Sequence, residues 1–509
     1  MKKYDVAVIG SGSGNIVIDT AVAKGLKCAL IEKNKFGGTC LNHGCIPTKV
    51  LTTVADSIRK IQKNNDIGVE VNSYKINFPK IKQRVFEKTM ENEQVREYYE
   101  NLENVDVYHG EGRFLDDNRL KITLEDGSTE EIFADKIVIA VGARTQIPQI
   151  DGLDETGYIT SESFFGNEFP SSPYESLVII GGGFIGVEFA HIFSSLGTKV
   201  TILQRNINLM PRADEDIIKK ATESYLSAGI DVATKTQLLK VEKHGNKKKV
   251  YYKDVRTNQN LYVVADEIML CTGLVSNADT LDIQNTSVEL DQRGYIPTNE
   301  LLQTTSKSIY AIGDINGIYQ FKHVANMEAE ILSHNLFEAE NRDYRFMSYD
   351  AVPSATFSFP QIASVGMTQK EALEKGYDIN VAINHYSNTA KGYALGYKKG
   401  SIMDGFVKII TENFSNKILG VHIIGEEASL LLQPYVELLN TGLKYLEPIN
   451  MQITSNLVDE LRANDYTFTN PPYTLASTDN CMVTHPSLAE VSMWTKYMHF
   501  ENIKKSDTI

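Results

Sequence analysis

The 509-residue sequence has no apolar stretch approaching the roughly 18 residues that a membrane-spanning helix needs. Its opening, MKKYDVAVIG, passes from two lysines into a short β-branched run that ends in glycine, too short for the apolar core of a signal peptide. These two absences lead to the expectation of a cytoplasmic protein without membrane contact. Cysteine is also scarce. Cys28, Cys40, Cys45, Cys271 and Cys481 are too few to staple a secreted framework, so a close pair among them points to catalysis or metal binding. Basic runs are missing as well: 51 basic against 65 acidic side chains give a formal charge of −14, and no lysine- and arginine-rich segment could neutralise a phosphate backbone. Nucleic acid is therefore excluded as the expected partner.

What is present is enough apolar side chain, 42%, for substantial cores in a chain long enough for about three domains. Asp5 to Ile9 is an apolar run, Gly10 to Gly14 a glycine turn, and Lys27 to Ile31 a second apolar run, which together read as strand, turn, helix and strand. The same pattern recurs in SLVIIGGGFIGVEFAHIFSSLGTKVTIL, Ser176 to Leu203. Two nucleotide-binding units imply two nucleotides. Between them, Lys60 to Leu102 carries charged helical patterns, and Val105 to Val141 alternates like a β-meander that closes on IVIAVGAR. A further nucleotide-contacting region ends near Asp314, after SIYAIGD, and from about Met347 the strands and helices lack glycine fingerprints. The expected fold class is α/β, with two Rossmann-like nucleotide-binding domains plus an α+β dimerisation domain. The first domain is expected over 1–150 and 276–346, the second over 151–275, and the third over 347–509.

In Gly10-Ser11-Gly12-Ser13-Gly14-Asn15, two glycines match the dinucleotide fingerprint and the third position falls on Asn15. Such a turn brings a pyrophosphate close to backbone N–H groups at a helix amino terminus. Glu32 stands 22 positions after Gly10 at the end of the next strand, where a carboxylate suits a ribose hydroxyl. The second fingerprint is complete, with Gly181, Gly183 and Gly186. Its ribose-binding acid is replaced by Gln204 and Arg205, with Arg212 nearby; a guanidinium accepts a 2′-phosphate, which favours NADP over NAD. In GGTCLNHGCIPTKVL, Gly37 to Leu51, the two cysteines are five apart. On a regular helix that spacing separates the Cα atoms by about 8.6 Å, beyond the limit of about 6.8 Å for a disulfide, so pairing needs a local distortion, which Gly44 permits. A structural disulfide and half of a zinc site remain open on spacing alone.

With these motifs in this order over nearly its whole length, the chain resembles the pyridine nucleotide-disulfide oxidoreductase family of lipoamide dehydrogenase, glutathione reductase and mycothione reductase. The resemblance implies FAD in the first domain, NADP or NAD in the second, and a redox-active Cys40–Cys45 pair. Cys40 would be the interchange thiol that attacks a small disulfide and Cys45 the thiol beside the flavin. Lys49 would pair with Glu188 near the flavin, Phe184 would cover it until nicotinamide arrives, and Asp314 would bind the ribityl chain. Thr39, Gly142 and Gly273 would complete the cofactor contacts. In HPSLAE, His485 and Glu490 would form a dyad that handles the thiol proton, supplied by the neighbouring subunit of a homodimer, with Pro486 in a first helical turn. The implied activity is electron transfer between NAD(P)H and a small disulfide or dithiol, dihydrolipoamide dehydrogenase-like. The alternatives are a NADPH-dependent mycothione-type reductase and a flavin diaphorase. KHVANMEAEIL and GSGSGN resemble mycothione reductases more than other members. No metal is expected.

Some residues depart from the family pattern. His43 replaces an apolar residue and is expected to face solvent, CTGLVSN lacks the usual arginine and proline, and the stretch from Asn450 to Cys481, with Pro471 and Pro472, is longer. Cys481 reads as a small buried apolar residue. No carboxy-terminal cysteine pair is present, which argues against the thioredoxin-reductase and mercuric-reductase variants of the scheme.

Overall fold

Val6 to Ile9 and Cys28 to Ile31 are apolar without alternation, the pattern of parallel strands covered on both faces. In the computed structural model, which describes residues 1–340, 343–470, 478 and 481–497, both lie inside one sheet. Strand β1 (Lys2–Ile9) leads through helix α1 (Gly14–Ala23) to β2 (Cys28–Glu32), which pairs with β1 in parallel. Gly14, Val17, Ile18 and Ala21, at helical spacing, form the buried face of α1. After β2 come helices α2 (Gly38–Asn42) and α3 (Cys45–Lys63). Strand β3 (Val105–Phe114) lies beside β2 and leads into β4 (Arg119–Leu124) and β5 (Thr129–Ile139). Strand β5 pairs with the other side of β1 and is followed by Ile309–Ala311. The outer halves of β3 and β5 are bridged by antiparallel β4, which is the expected meander.

A second, four-stranded parallel sheet runs in the order Glu267–Leu270, Ser176–Ile180, Lys199–Gln204, Asp231–Thr234. The helix Phe184–Ser195 is buried around most of its circumference because it packs both on this sheet and against α3. That packing brings the two nucleotide-binding units together behind the cysteines. A five-stranded antiparallel sheet between residues 354 and 424 forms the third layer, with the helix Ala428–Asn440 on it. Lys408 on that sheet is buried with Asp214 at 2.7 Å, bonds the half-exposed Asp216 at 2.6 Å, and ties the sheet to the second unit. No helix among the described residues is long and apolar enough to cross a membrane. Pro471 and Pro472 lie outside the described residues.

Candidate active site

The distortion required by the cysteine spacing is a complete break between two helices. Helix α2 ends at Asn42, His43 and Gly44 leave helical geometry, and α3 starts at Cys45. A Cβ at Gly44 would stand 2.9 Å from the Thr39 carbonyl oxygen and 3.3 Å from Cys40 Cα, so a larger residue would force the second helix away from the first. Both thiols are free, and their sulfurs and a ring nitrogen of His485 all lie within 4.8 Å of one another.

His485 arrives on a segment anchored to the helix Ala428–Asn440. Gln433 donates to the Met482 carbonyl at 3.2 Å and accepts from the Thr484 N–H at 3.3 Å, while Cys481 packs with Leu432 and Val436, buried as expected. His485 Nε2 then lies 3.1 Å from Cys40 Sγ, and Nδ1 lies 2.5 Å from Glu490 Oε1. This anchoring carries the segment back over its own α2, so the dyad reaches Cys40 within the chain; one expectation is corrected here. Pro486 precedes the helix rather than opening it, since the short helix that bears Glu490 spans Ala489–Met493.

Burial works against the charged imidazole, but contacts with Cys45 and Glu490 outweigh it and push His485 up to about 9. The thiols separate in opposite directions. Contact with Cys45 holds the Cys40 thiol below its usual range, against burial, with the Lys322 charge acting the same way and Glu490 opposing. Cys45 is pushed far up by Cys40 and by burial. The reduced pair therefore loses its first proton from Cys40, with an acid already charged beside it. His43 is half-buried rather than facing solvent, and burial lowers its pKa.

The first glycine turn fits FAD. A Cβ at Gly10 would collide with the Ala140 carbonyl oxygen at 2.4 Å, whereas Gly12 has only Gly38 Cα nearby, at 3.9 Å, which leaves room for a pyrophosphate. Gly14 packs on Val8, and its missing Cβ gives the close helix–strand contact that the fingerprint assigns to the third glycine, one position before Asn15. Glu32 accepts from Ser11 N–H and Oγ–H, both at 2.8 Å, which holds it at the turn. Thr39 is exposed at the start of α2, and Gly142 and Gly273 have open space or only a distant Gln146 where a Cβ would point. Burial pushes Asp314 up to about 6, with Lys322 acting against the rise.

Lys49 and Glu188 face each other, but not as the direct ion pair that the resemblance implies. Glu188 accepts instead from the Phe357 N–H at 2.8 Å, and the Lys49 ammonium lies against the Phe357 ring. Burial draws the two toward neutrality, Glu188 up to about 7 and Lys49 down to about 8, each resisted by the other. Phe184, partly buried, opens the neighbouring helix.

At the second fingerprint, Gly181 and Gly186 are closed against backbone: a Cβ at Gly186 would lie 2.1 Å from the Gly181 carbonyl oxygen, while Gly183 faces open space. Gln204 is buried and accepts from the Gly182 N–H at 3.3 Å, while Arg205 and Arg212 are exposed.

Three groups escaped the sequence reading. Glu328 is fully buried and accepts from Gly313 N–H, Asn316 Nδ2 and Tyr349 Oη at 2.6, 2.8 and 2.7 Å, which fixes the turn that carries Asp314. His191 bonds Asp56 at 2.9 Å behind Lys49. Lys322 reaches Ser13 Oγ at 3.0 Å. A glutamate inside an apolar helical run was a signal for the first; the others depend on contacts between distant helices.

Two dinucleotide folds that converge on one thiol pair, with an imidazole at the outer sulfur, define an oxidoreductase that passes electrons between a nucleotide and a disulfide. The chain belongs to the pyridine nucleotide-disulphide oxidoreductase family, whose model matches residues 4–329, and the family's dimerisation domain matches 352–457. It is 35% identical to mycothione reductase of Mycobacterium tuberculosis over 458 residues, 88% of this chain and 95% of that protein. It is 32% identical to dihydrolipoyl dehydrogenase of Chlamydia muridarum over 443 residues, 84% of this chain and 89% of that one. Among solved structures, the Cu(II) complex of the HOCl-induced flavoprotein disulfide reductase RclA from Escherichia coli aligns over 98% of this chain and 99% of that chain, with a TM-score of 0.73 and 25% identity. The chain is thus an FAD- and NAD(P)H-dependent disulfide oxidoreductase with a dimerisation domain.

Proposed function

We propose that the chain uses NADPH to reduce a low-molecular-weight disulfide of the mycothione type, and that it works as a homodimer. The observation that carries the reading is the Cys40 Sγ to His485 Nε2 contact of 3.1 Å, with Glu490 on the far ring nitrogen. FAD, when bound, relays two electrons from the nicotinamide to the Cys40–Cys45 disulfide. The freed Cys40 thiolate attacks one sulfur of the substrate, His485 gives its proton to the departing thiol, and Cys45 displaces the second thiol to restore the disulfide. Glu490 holds the imidazole in place and favours its charged form. The 35% identity to mycothione reductase supports the substrate class, and two exposed guanidiniums where a ribose-binding carboxylate would stand support NADPH. A panel of lipoamide, glutathione, mycothiol and coenzyme A disulfides, run with each nicotinamide, tests it. Fastest turnover of dihydrolipoamide with NAD would replace this reading with the dehydrogenase.

One observation favours a second reading, reduction of a thiophilic metal ion. Cys40, Cys45 and His485 offer two sulfurs and a nitrogen within 4.8 Å of each other, a soft donor set that suits copper. Cu(II)-dependent oxidation of NADPH that persists without any disulfide, and is lost in Cys45→Ser, would favour it.

A further inference from the structure

Arg205 and Arg212 stand near the two ends of the loop between the strand Lys199–Gln204 and the helix Glu215–Ser227. The front of this loop is tied to the second glycine turn. The Met210 N–H donates to the Gly182 carbonyl at 2.7 Å, Gln204 Nε2 donates to the Asn208 carbonyl at 3.1 Å, and the buried Leu209 side chain fills the space where a Cβ on Gly182 would point. The back of the loop is held by the third layer instead. One oxygen of the buried Asp214 caps the helix by accepting from the Asp216 N–H at 3.1 Å, and the same oxygen accepts from Lys408 Nζ at 2.7 Å. Its other oxygen accepts at 3.1 Å from the N–H of Gln369, which opens the helix Gln369–Glu374. Between the two anchors, Pro211 and Arg212 are exposed. Lys408, from the strand Phe406–Glu412, is 1% exposed. A buried ion pair contributes little net stability compared with apolar side chains of similar volume, but its bonds are directional. The pair therefore fixes where Asp214 sits more than it stabilises the fold.

We propose that Lys408 is a positioning residue for nucleotide specificity: by holding Asp214 it sets where Arg212 stands, and through Arg212 it makes the second unit prefer a nucleotide that carries a 2′-phosphate. This inference rests on the NADPH reading above. A guanidinium recognises a phosphate only where its planar fork meets the oxygens, so a small displacement of the loop end loses that contact. The part of the nucleotide common to NADPH and NADH depends on the glycine turn. The front anchor, on Gly182, does not involve Lys408, and the back anchor does not involve the glycine turn. Releasing the back anchor therefore separates the two kinds of recognition.

The test is calorimetric titration of the FAD-loaded enzyme with adenosine 2′,5′-bisphosphate and with adenosine 5′-monophosphate, which differ only by the 2′-phosphate. Lys408→Met keeps an unbranched stem and removes the charge. It should weaken the bisphosphate about tenfold, the loss expected of one charge-assisted contact, and change the monophosphate by less than about twofold. Because this variant leaves Asp214 buried without its cation, it is paired with Lys408→Met/Asp214→Asn, which keeps a capping oxygen, buries no charge and should show the same selective loss. In an Arg212→Ala background, Lys408→Met should have no further effect on either ligand, since the group it positions is gone. Equal weakening of both ligands, an unchanged bisphosphate affinity, or an undiminished loss on top of Arg212→Ala would overturn the proposal. If neither Lys408 variant folds, the lysine serves the fold and not the phosphate, and the proposal is overturned as well. Failure of the NADPH reading shows in the wild type itself, which would then bind the two ligands equally, and the proposal would fall with it.

Discussion

His485 and Glu490 divide one task between them. The imidazole reaches Cys40 through Nε2, and the carboxylate holds Nδ1 on the other side, so the ring is oriented and charged at once. Replacing His485 with Gln leaves the nucleotide sites and Cys45 in place. Stopped-flow flavin reduction should therefore remain fast while disulfide turnover falls on the order of 100-fold, the usual contribution of a positioned acid. Glu490→Gln should cost less, because the imidazole is still present. Equal slowing of both half-reactions by His485→Gln would remove the assigned role. The pH profile follows from the sign of the shift: His485 is raised from 6.5 to about 9, so its proton is present at neutral pH and is lost as pH rises through about 9. Disulfide turnover of the wild type should decline over that window, and its flavin reduction should not.

At the scale of elements, function depends on where helices are interrupted. Gly44 separates α2 from α3, and its missing Cβ lets Cys45 approach Cys40. Gly44→Ala places a methyl 2.9 Å from the Thr39 carbonyl, so the helices must part; re-formation of the disulfide, followed by thiol titration after anaerobic reduction, should slow at least several-fold. Disulfide formation at the wild-type rate would show that the break is not what brings the sulfurs together. On the proposed NADPH reading, the end of the strand Lys199–Gln204 makes the corresponding choice for the nucleotide. Arg205 follows it exposed, and Arg205→Glu should raise KM for NADPH on the order of tenfold or more while changing that for NADH little, because it replaces a phosphate partner with a repelling charge. Parallel losses for both nucleotides would make Arg205 a bystander.

At the scale of the molecule, the single chain leaves large apolar side chains uncovered. Leu438, Leu488 and Val491 are 63, 74 and 73% exposed, on the helix Ala428–Asn440 and on the carboxy-terminal segment that carries His485. Exposed apolar side chains in and after a dimerisation domain are suited to a two-fold contact. Sedimentation should give twice the 56.9 kDa chain mass, and Leu438→Asp should shift the equilibrium toward single chains. The Cys40–His485 contact can close within a chain, as here, or between chains that exchange their last segment. Mixing Cys40→Ser with His485→Gln chains separates the two. The contact within one chain predicts no recovery, whereas exchange would restore about a quarter of the activity, one live site of two in half of the dimers.

Much of this protein was legible in its residues. Glycines in order after apolar runs reveal two dinucleotide turns, because no other side chain permits the close approach of backbone to backbone and phosphate. The five-residue cysteine spacing already required a helix to break, and the break stands at Gly44. The sequence could not show which chain delivers His485, 445 positions from Cys40, since that depends on how the segment after residue 480 packs on a distant helix. Nor could it show that Lys49 and Glu188 meet Phe357 instead of each other. Local pattern determines turns and helix faces because those interactions are between near neighbours. The charges that set each sulfur's protonation come from separate segments of the chain, and only the tertiary structure brings them within range of one another.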